Sequence, residues 1–91
     1  MRSRVHVMIS GRVQGVWFRG NTKDKAEQLE ITGWVRNTVD GKVEAVFEGE
    51  EPRIKEMIAW CRHGPPSARV EHVEVKKQSA LNDFTHFTIR Y

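Results

Sequence analysis

Polar and apolar residues alternate near the start of the chain, which is the pattern of a strand with one buried face. The apolar positions are Val5, Val7 and Ile9, and they predict a first strand over residues 4–10. After a glycine-containing loop, apolar and small residues recur at spacings of three and four, as on one face of a helix. These positions are Phe18, Thr22, Ala26 and Leu29, and they predict a helix over residues 19–30.

The dipeptide Asp40-Gly41 separates two stretches that are rich in β-branched and aromatic residues, Trp34 to Val39 and Lys42 to Phe47. An Asp-Gly pair in this position is a strong hairpin signal, because both central residues of a two-residue type I′ turn need positive φ. We therefore expect strands two and three to be antiparallel neighbours joined by this turn.

The second half of the chain predicts another helix and two more strands. Acidic residues and Pro52 suit the first turn of a helix, and Gly64 suits its end. The apolar face between them is Ile54, Met57, Ile58 and Cys61, which predicts a helix over residues 52–63. Val70, Val73 and Val75 predict a fourth strand with an irregularity where their parity changes. Alternation from Phe84 to Tyr91 predicts a last strand.

The resulting order is βαββαβ with an extra C-terminal strand. It predicts the α+β class, as a ferredoxin-like sandwich of one antiparallel sheet with two helices on one face. The 91 residues are too few for two separate cores, so we expect residues 1–91 to form a single domain.

Charge is distributed unevenly along the chain. The first twenty residues contain Arg2, Arg4, Arg12 and Arg19 and no acidic residue, although the formal net charge of the whole chain is only +3. This local excess either serves solubility or faces an anion. The single cysteine cannot form an internal disulfide and fits a reducing compartment. No early apolar stretch is long enough for a signal peptide or membrane span, so we expect a cytoplasmic protein without a membrane partner.

Most familiar catalytic arrangements find no support in the sequence. The histidines, His6, His63, His72 and His86, are scattered without the spacing of zinc ligands, so no metal site is predicted. Cys61 lies on the apolar face of the second helix and is interpreted as a core residue. No serine lies in the context of a nucleophile elbow.

The loop between the first strand and the first helix is the remaining candidate. Gly15 and Gly20 have the spacing of the glycines in a nucleotide P-loop, but Asn21-Thr22 stands where Lys-Ser/Thr is required. A short glycine-containing loop at a helix start can still direct free backbone NH groups at an anion, and Arg19 can add a bidentate contact. An ordinary strand-to-helix turn is the alternative at this point.

Five blocks of the sequence together resemble the acylphosphatase family over essentially the whole chain. They are Gly11-Arg12-Val13-Gln14-Gly15-Val16 with Phe18-Arg19, Gly33-Trp34-Val35-Arg36-Asn37, Asp40-Gly41 with Val43-Glu44, Gly64 to Val70, and Phe87 to Tyr91. The resemblance implies the same ferredoxin-like fold and the hydrolysis of the carboxyl–phosphate bond of acyl phosphates, without a metal or other cofactor.

The resemblance also assigns residues and partners. The residues that it implies for phosphate binding are Gln14, Gly15, Val16, Trp17, Phe18 and Arg19. Arg19 would be the catalytic phosphate ligand, and Asn37 would position the attacking water. The expected partners are a small acyl phosphate and inorganic phosphate, the latter as product and inhibitor, with no nucleic acid and a monomeric chain. Arg12 and Arg36 are left out of catalysis.

The implied reaction suits a site without a general acid. The leaving carboxylate has a conjugate acid with a pKa of about 4, so it departs unprotonated. The remaining tasks are to neutralise charge on the phosphoryl group and to place one water in line. An amide such as Asn37 can accept a hydrogen bond from that water, and the substrate phosphate is our hypothesis for the proton acceptor.

Two other classes of function compete with this reading. An RNA-recognition module of the same architecture needs stacking aromatics on strand three, where Lys42 to Glu48 supplies one aromatic and two acids. A catalytically silent ligand-binding or interaction domain would keep the fold without the activity, and the presence of Arg19 and Asn37 argues against it. Trp17 and Trp34 are interpreted as packing residues or loop cover. Glu30 stands where the family commonly has glycine, which predicts strain if that residue has positive φ.

Overall fold

The computed structural model describes all 91 residues and contains five strands and two helices. In chain order they are β1 (Arg2–Arg12), α1 (Phe18–Gln28), β2 (Thr32–Asn37), β3 (Val43–Glu50), α2 (Glu51–Cys61), β4 (Arg69–Gln78) and β5 (Phe87–Arg90). The predicted order is confirmed. Each helix begins one residue earlier and ends two residues earlier than its apolar pattern suggested, and β1 extends by two residues at each end.

The strands form one sheet in the order β4-β1-β3-β2-β5. β1 is antiparallel to β3 and β4, and β2 is antiparallel to β3, which confirms the ferredoxin-like sandwich. The extra strand departs from the predicted antiparallel sheet, because β5 runs parallel to β2. The segment after β4 crosses from one edge of the sheet to the other at the end where β4 finishes. β5 therefore starts at that end and runs in the same direction as β2.

The core lies between the helices and one face of the sheet. Val7, Ala45 and Val35 lie in register on β1, β3 and β2, and all are fully buried. The helices contribute Thr22, Ala26, Ile54, Met57 and Cys61 to this layer. Cys61 is fully buried in the core, which confirms its interpretation as a packing residue, and this burial raises the pKa of its thiol to about 12.

Two local features of the strands differ in how well the sequence predicted them. The register of β1 against β4 shifts between Ser10 and Gly11, so Glu71 has no partner, and the irregularity expected between Val70 and Val73 is confirmed.

The prediction of a type I′ turn between β2 and β3 is wrong. Gly41 has φ +90° but Asp40 is not in the left-handed region, and the NH of Thr38 donates to Lys42 O at 2.9 Å. This is a three-residue loop, which the Asp-Gly pair also permits because only its last residue needs positive φ.

Helix α1 ends in a Schellman motif. The NH of Ile31 donates to Ala26 O at 2.8 Å, and the NH of Glu30 donates to Glu27 O at 3.1 Å. This motif places its next-to-last residue in the left-handed region, and Glu30 has φ +56°. The strain predicted for a glutamate at this position is therefore present.

Candidate active site

The loop from β1 to α1 presents a row of backbone NH groups. None of the NH groups of Gly15 to Gly20 donates a hydrogen bond within the protein. Gly15 (φ +73°) and Trp17 (φ +61°) both adopt positive φ, and no side chain caps the start of α1. Free NH groups at a helix start, with alternate residues of a preceding loop at positive φ, form a concave site for an anion.

Three side chains fix this loop without occupying its NH groups. Val16 and Phe18 are 8% and 2% exposed, so they anchor the loop in the core. The Gln14 amide donates to Thr38 O at 2.7 Å and to Lys42 O at 2.9 Å, which ties the loop to the β2–β3 hairpin. Both hydrogens of the Gln14 side chain are thus used within the protein.

Arg19 lies in the first turn of α1 beside the loop. Its side chain forms no ion pair with a carboxylate, and its guanidinium carbon lies 4.9 Å from the centre of the Tyr91 ring. The residues that line the cavity with it include no Asp or Glu. The guanidinium NH groups are therefore available to an anion bound at the loop, and no local acid competes with that anion.

Asn37 is the last residue of β2, two positions after the buried Val35, so it lies on the helix side of the sheet. Its Oδ1 atom is buried and has no hydrogen-bond partner. A buried polar atom without a partner costs free energy and requires an explanation. Gln14 holds the hairpin that follows β2 against the loop, which brings Asn37 to the same site.

A cavity of about 430 Å³ joins these groups. Its lining residues are Val13, Gly15, Val16, Trp17, Phe18, Arg19, Gly20, Asn37, Ser67, Ile89 and Tyr91. The structure thus brings Gly15 to Arg19 together with Asn37, whereas Gln14 supports the loop from outside. The cavity lies at one end of the sheet, where β1, β2 and β5 finish.

Sequence reasoning assigned no role to Ser67, Ile89 and Tyr91, although each lies within a block that resembles the family. Ser67 Oγ donates to Val16 O at 3.3 Å and so adds support to the loop. Ile89 and Tyr91 reach the cavity because β5 is parallel to β2. Trp34 is half-buried beneath the Arg90 guanidinium, whose carbon lies 4.4 Å from the ring centre. Trp17 covers Gly20 but is not packed in the core, since 76% of it is exposed.

The family model described as acylphosphatase matches residues 5–89. The chain belongs to the acylphosphatase family. This confirms the resemblance and the prediction of an acylphosphatase.

Individual relatives of the acylphosphatase family agree over nearly the full chain. An acylphosphatase of Rubrobacter xylanophilus is 54% identical over 87 residues, which cover 96% of this chain and 79% of the relative. The structure of an acylphosphatase from Coxiella burnetii is 40% identical with a TM-score of 0.92, covering 98% of this chain and 93% of the other. That of the Bacillus subtilis acylphosphatase is 32% identical with a TM-score of 0.94, and the match covers both chains completely.

Two observations concern metals and membranes. No group of three His, Cys, Asp or Glu side chains is arranged to hold a metal ion. Neither helix has the length and apolar character required to cross a membrane.

Proposed function

We propose that this chain hydrolyses the carboxyl–phosphate bond of small acyl phosphates without a metal ion. The observation that carries the proposal is the cavity shared by the free NH groups of Gly15 to Gly20, the unpaired Arg19 and the unpartnered Asn37 amide oxygen. All of these groups belong to one chain, so we also propose that a monomer is active.

The loop binds the phosphoryl group. Its NH groups and the Arg19 guanidinium donate to the phosphoryl oxygens, whose charge they neutralise as the bond to the acyl group lengthens. Fixed donors in a site without competing carboxylates need little reorganisation, which is the most effective form of electrostatic stabilisation. Arg19 adds a planar pair of donors that matches two oxygens at once.

Asn37 orients the attacking water. Its Oδ1 accepts a hydrogen bond from the water, which supplies the donor that this buried oxygen lacks within the protein. The water is then fixed beside the phosphoryl group bound at the loop. Placing a nucleophile in line is a major part of catalysis in phosphoryl transfer.

The chemistry needs no acid from the protein. The water oxygen forms a bond to phosphorus, the bond from phosphorus to the bridging oxygen breaks, and its electron pair leaves with the carboxylate. The carboxylate is stable unprotonated at neutral pH. The proton lost by the water passes to a phosphoryl oxygen, so the products are a carboxylate and dihydrogen phosphate. Inorganic phosphate fits the same donors and therefore inhibits competitively.

A hydrolysis assay with benzoyl phosphate in excess chelator tests this proposal. We expect turnover far above the buffer rate, unchanged by the chelator, and competitive inhibition by inorganic phosphate. Turnover that appears only after a divalent metal is added would contradict it. Phosphate binding without turnover would instead support the silent ligand-binding domain.

A further inference from the structure

Trp17 has a placement that phosphate binding does not explain. Its backbone NH belongs to the loop, the residue lines the cavity, and 76% of it is exposed. The neighbouring Val16 and Phe18 are buried in the core. An exposed aromatic side chain that lines a cavity is placed to contact a bound small molecule.

The backbone of Trp17 is held in an unfavourable conformation. Its φ of +61° and ψ of +29° lie in the left-handed region, which bulky side chains rarely adopt. The Asn21 side chain donates to Trp17 O at 2.8 Å and keeps the residue in this state. Strain of this kind persists where the surrounding structure enforces it, and it is concentrated at functional sites.

Gly20 determines where the indole lies. A Cβ atom at Gly20 would be 2.5 Å from Nε1 and 2.6 Å from Cε2 of Trp17. The indole therefore lies against the bare backbone of Gly20 in the first turn of α1. The ring packs on Gly20 through the Nε1 and Cε2 side, and most of the residue stays exposed.

The cavity is larger than a phosphoryl group requires. Its volume of about 430 Å³ is within the range of pockets that hold whole small molecules. Ile89 and the exposed Tyr91 line it together with Trp17, so one aliphatic and two aromatic side chains belong to its lining. Trp17, Ile89 and Tyr91 thus give the cavity an apolar and aromatic contribution beside its polar groups.

We propose that Trp17, with Ile89 and Tyr91, forms an acyl-group subsite that favours acyl phosphates with flat, apolar acyl groups over small ones. This rests on the proposed function, because it places the acyl group of the substrate against the exposed indole. An aromatic acyl group gains stacking and burial there, whereas an acetyl group is too small to cover the ring.

Comparing benzoyl phosphate with acetyl phosphate tests the subsite. Trp17→Asn removes the ring while keeping a residue that tolerates the left-handed region. We expect it to lower the ratio of kcat/KM for benzoyl phosphate to kcat/KM for acetyl phosphate by about tenfold. Trp17→Phe keeps an aromatic face and should retain most of the preference. Leu81→Asn, which changes an exposed apolar residue outside the cavity, is the control and should change neither value.

Non-hydrolysable analogues separate binding from turnover. Phenacylphosphonate and acetonylphosphonate carry a methylene in place of the bridging oxygen of the two substrates. We expect the wild type to bind phenacylphosphonate more tightly, Trp17→Asn to remove this difference, and inhibition by inorganic phosphate to stay unchanged. An equal loss for both substrates, or weaker phosphate inhibition, would overturn the subsite. If the wild type hydrolyses neither substrate, the proposed function fails, and calorimetry with the two phosphonates still decides between presence and absence of the subsite.

Discussion

Arg4 and Arg19 lie towards opposite ends of the sheet, and their surroundings differ. The Arg4 side chain is 10% exposed, and its Nε donates to Glu48 Oε1 at 2.7 Å. It also pairs with Asp83, and its guanidinium carbon lies 4.5 Å from the centre of the Phe84 ring. Arg19 has the Tyr91 ring beside it but no carboxylate.

The other hydrogen-bonding groups at these two ends of the sheet differ in the same way. Near Arg4, the Glu48 carboxylate also accepts from the NH groups of Leu81 (3.2 Å) and Asn82 (2.8 Å). Near Arg19, the loop NH groups have no acceptor and Asn37 Oδ1 has no donor. One end satisfies its polar groups within the protein and stabilises the fold. The other leaves donors and an acceptor free for a ligand.

Removing Arg19 should produce the largest functional effect. We expect Arg19→Ala to lower kcat/KM for benzoyl phosphate by about 10³-fold or more, because the guanidinium stabilises charge on the transferring phosphoryl group. Thermal unfolding should change little, since Arg19 forms no ion pair in the protein. Arg69→Ala, at an exposed arginine outside the cavity, should leave both properties unchanged. If Arg19→Ala retained more than about a tenth of the wild-type activity, this would contradict the division between the two ends.

Removing Glu48 should produce the opposite pattern. Its side chain has no exposed area, and its loss leaves Arg4 and two backbone NH groups without their acceptor. We expect Glu48→Ala to lower the free energy of unfolding by about 3 kcal/mol or more while the folded fraction keeps its activity. Urea unfolding measures the first effect. Glu71→Ala, at an exposed glutamate of β4, serves as the control.

Acid should reproduce part of this loss. Burial alone raises the pKa of Glu48, but hydrogen bonds from Arg4, Leu81 and Asn82 outweigh it and hold the pKa below its usual value. The stabilisation is therefore complete above the usual glutamate pKa of about 4.3 and is lost as pH falls below it. Glu48→Gln should flatten the dependence of stability on pH in this range. An unchanged slope would show that Glu48 does not cause it.

Replacing Asn37 should affect activity and stability in different directions within the site itself. We expect Asn37→Ala to lower kcat by about 10²- to 10³-fold, with inhibition by inorganic phosphate retained, because the water rather than the phosphate loses its contact. The free energy of unfolding should stay equal or rise, since the change removes a buried oxygen without a donor. Steady-state kinetics and urea unfolding of the same preparation test both parts. A large loss of stability would show that Asn37 has a structural role.

The sequence was most informative where structure depends on local periodicity or on a short motif. The alternation of Val5, Val7 and Ile9 located β1, and the family blocks located the loop and Asn37. Glu48 was not predicted to be buried, because the segment that covers it lies more than thirty residues further along the chain. The same applies to Ile89 and Tyr91, whose place in the cavity depends on the direction of β5. Contacts between distant segments leave no periodic pattern in either partner.

Glu30 is a case in which sequence reasoning anticipated a backbone conformation, and it should show the smallest effect. Glycine accepts φ +56° without steric cost, so Glu30→Gly relieves the strain at the end of α1. It also removes the contact of Glu30 with Arg53, an exposed ion pair of small value. We expect the melting temperature to rise by about 2 to 4 °C. Glu30→Ala loses the same contact but keeps the strain, so its melting temperature should not exceed that of the wild type. Activity should be unchanged in both variants, because α1 ends far from the cavity. Equal melting temperatures for the two variants would mean that the left-handed conformation at this residue costs the protein nothing.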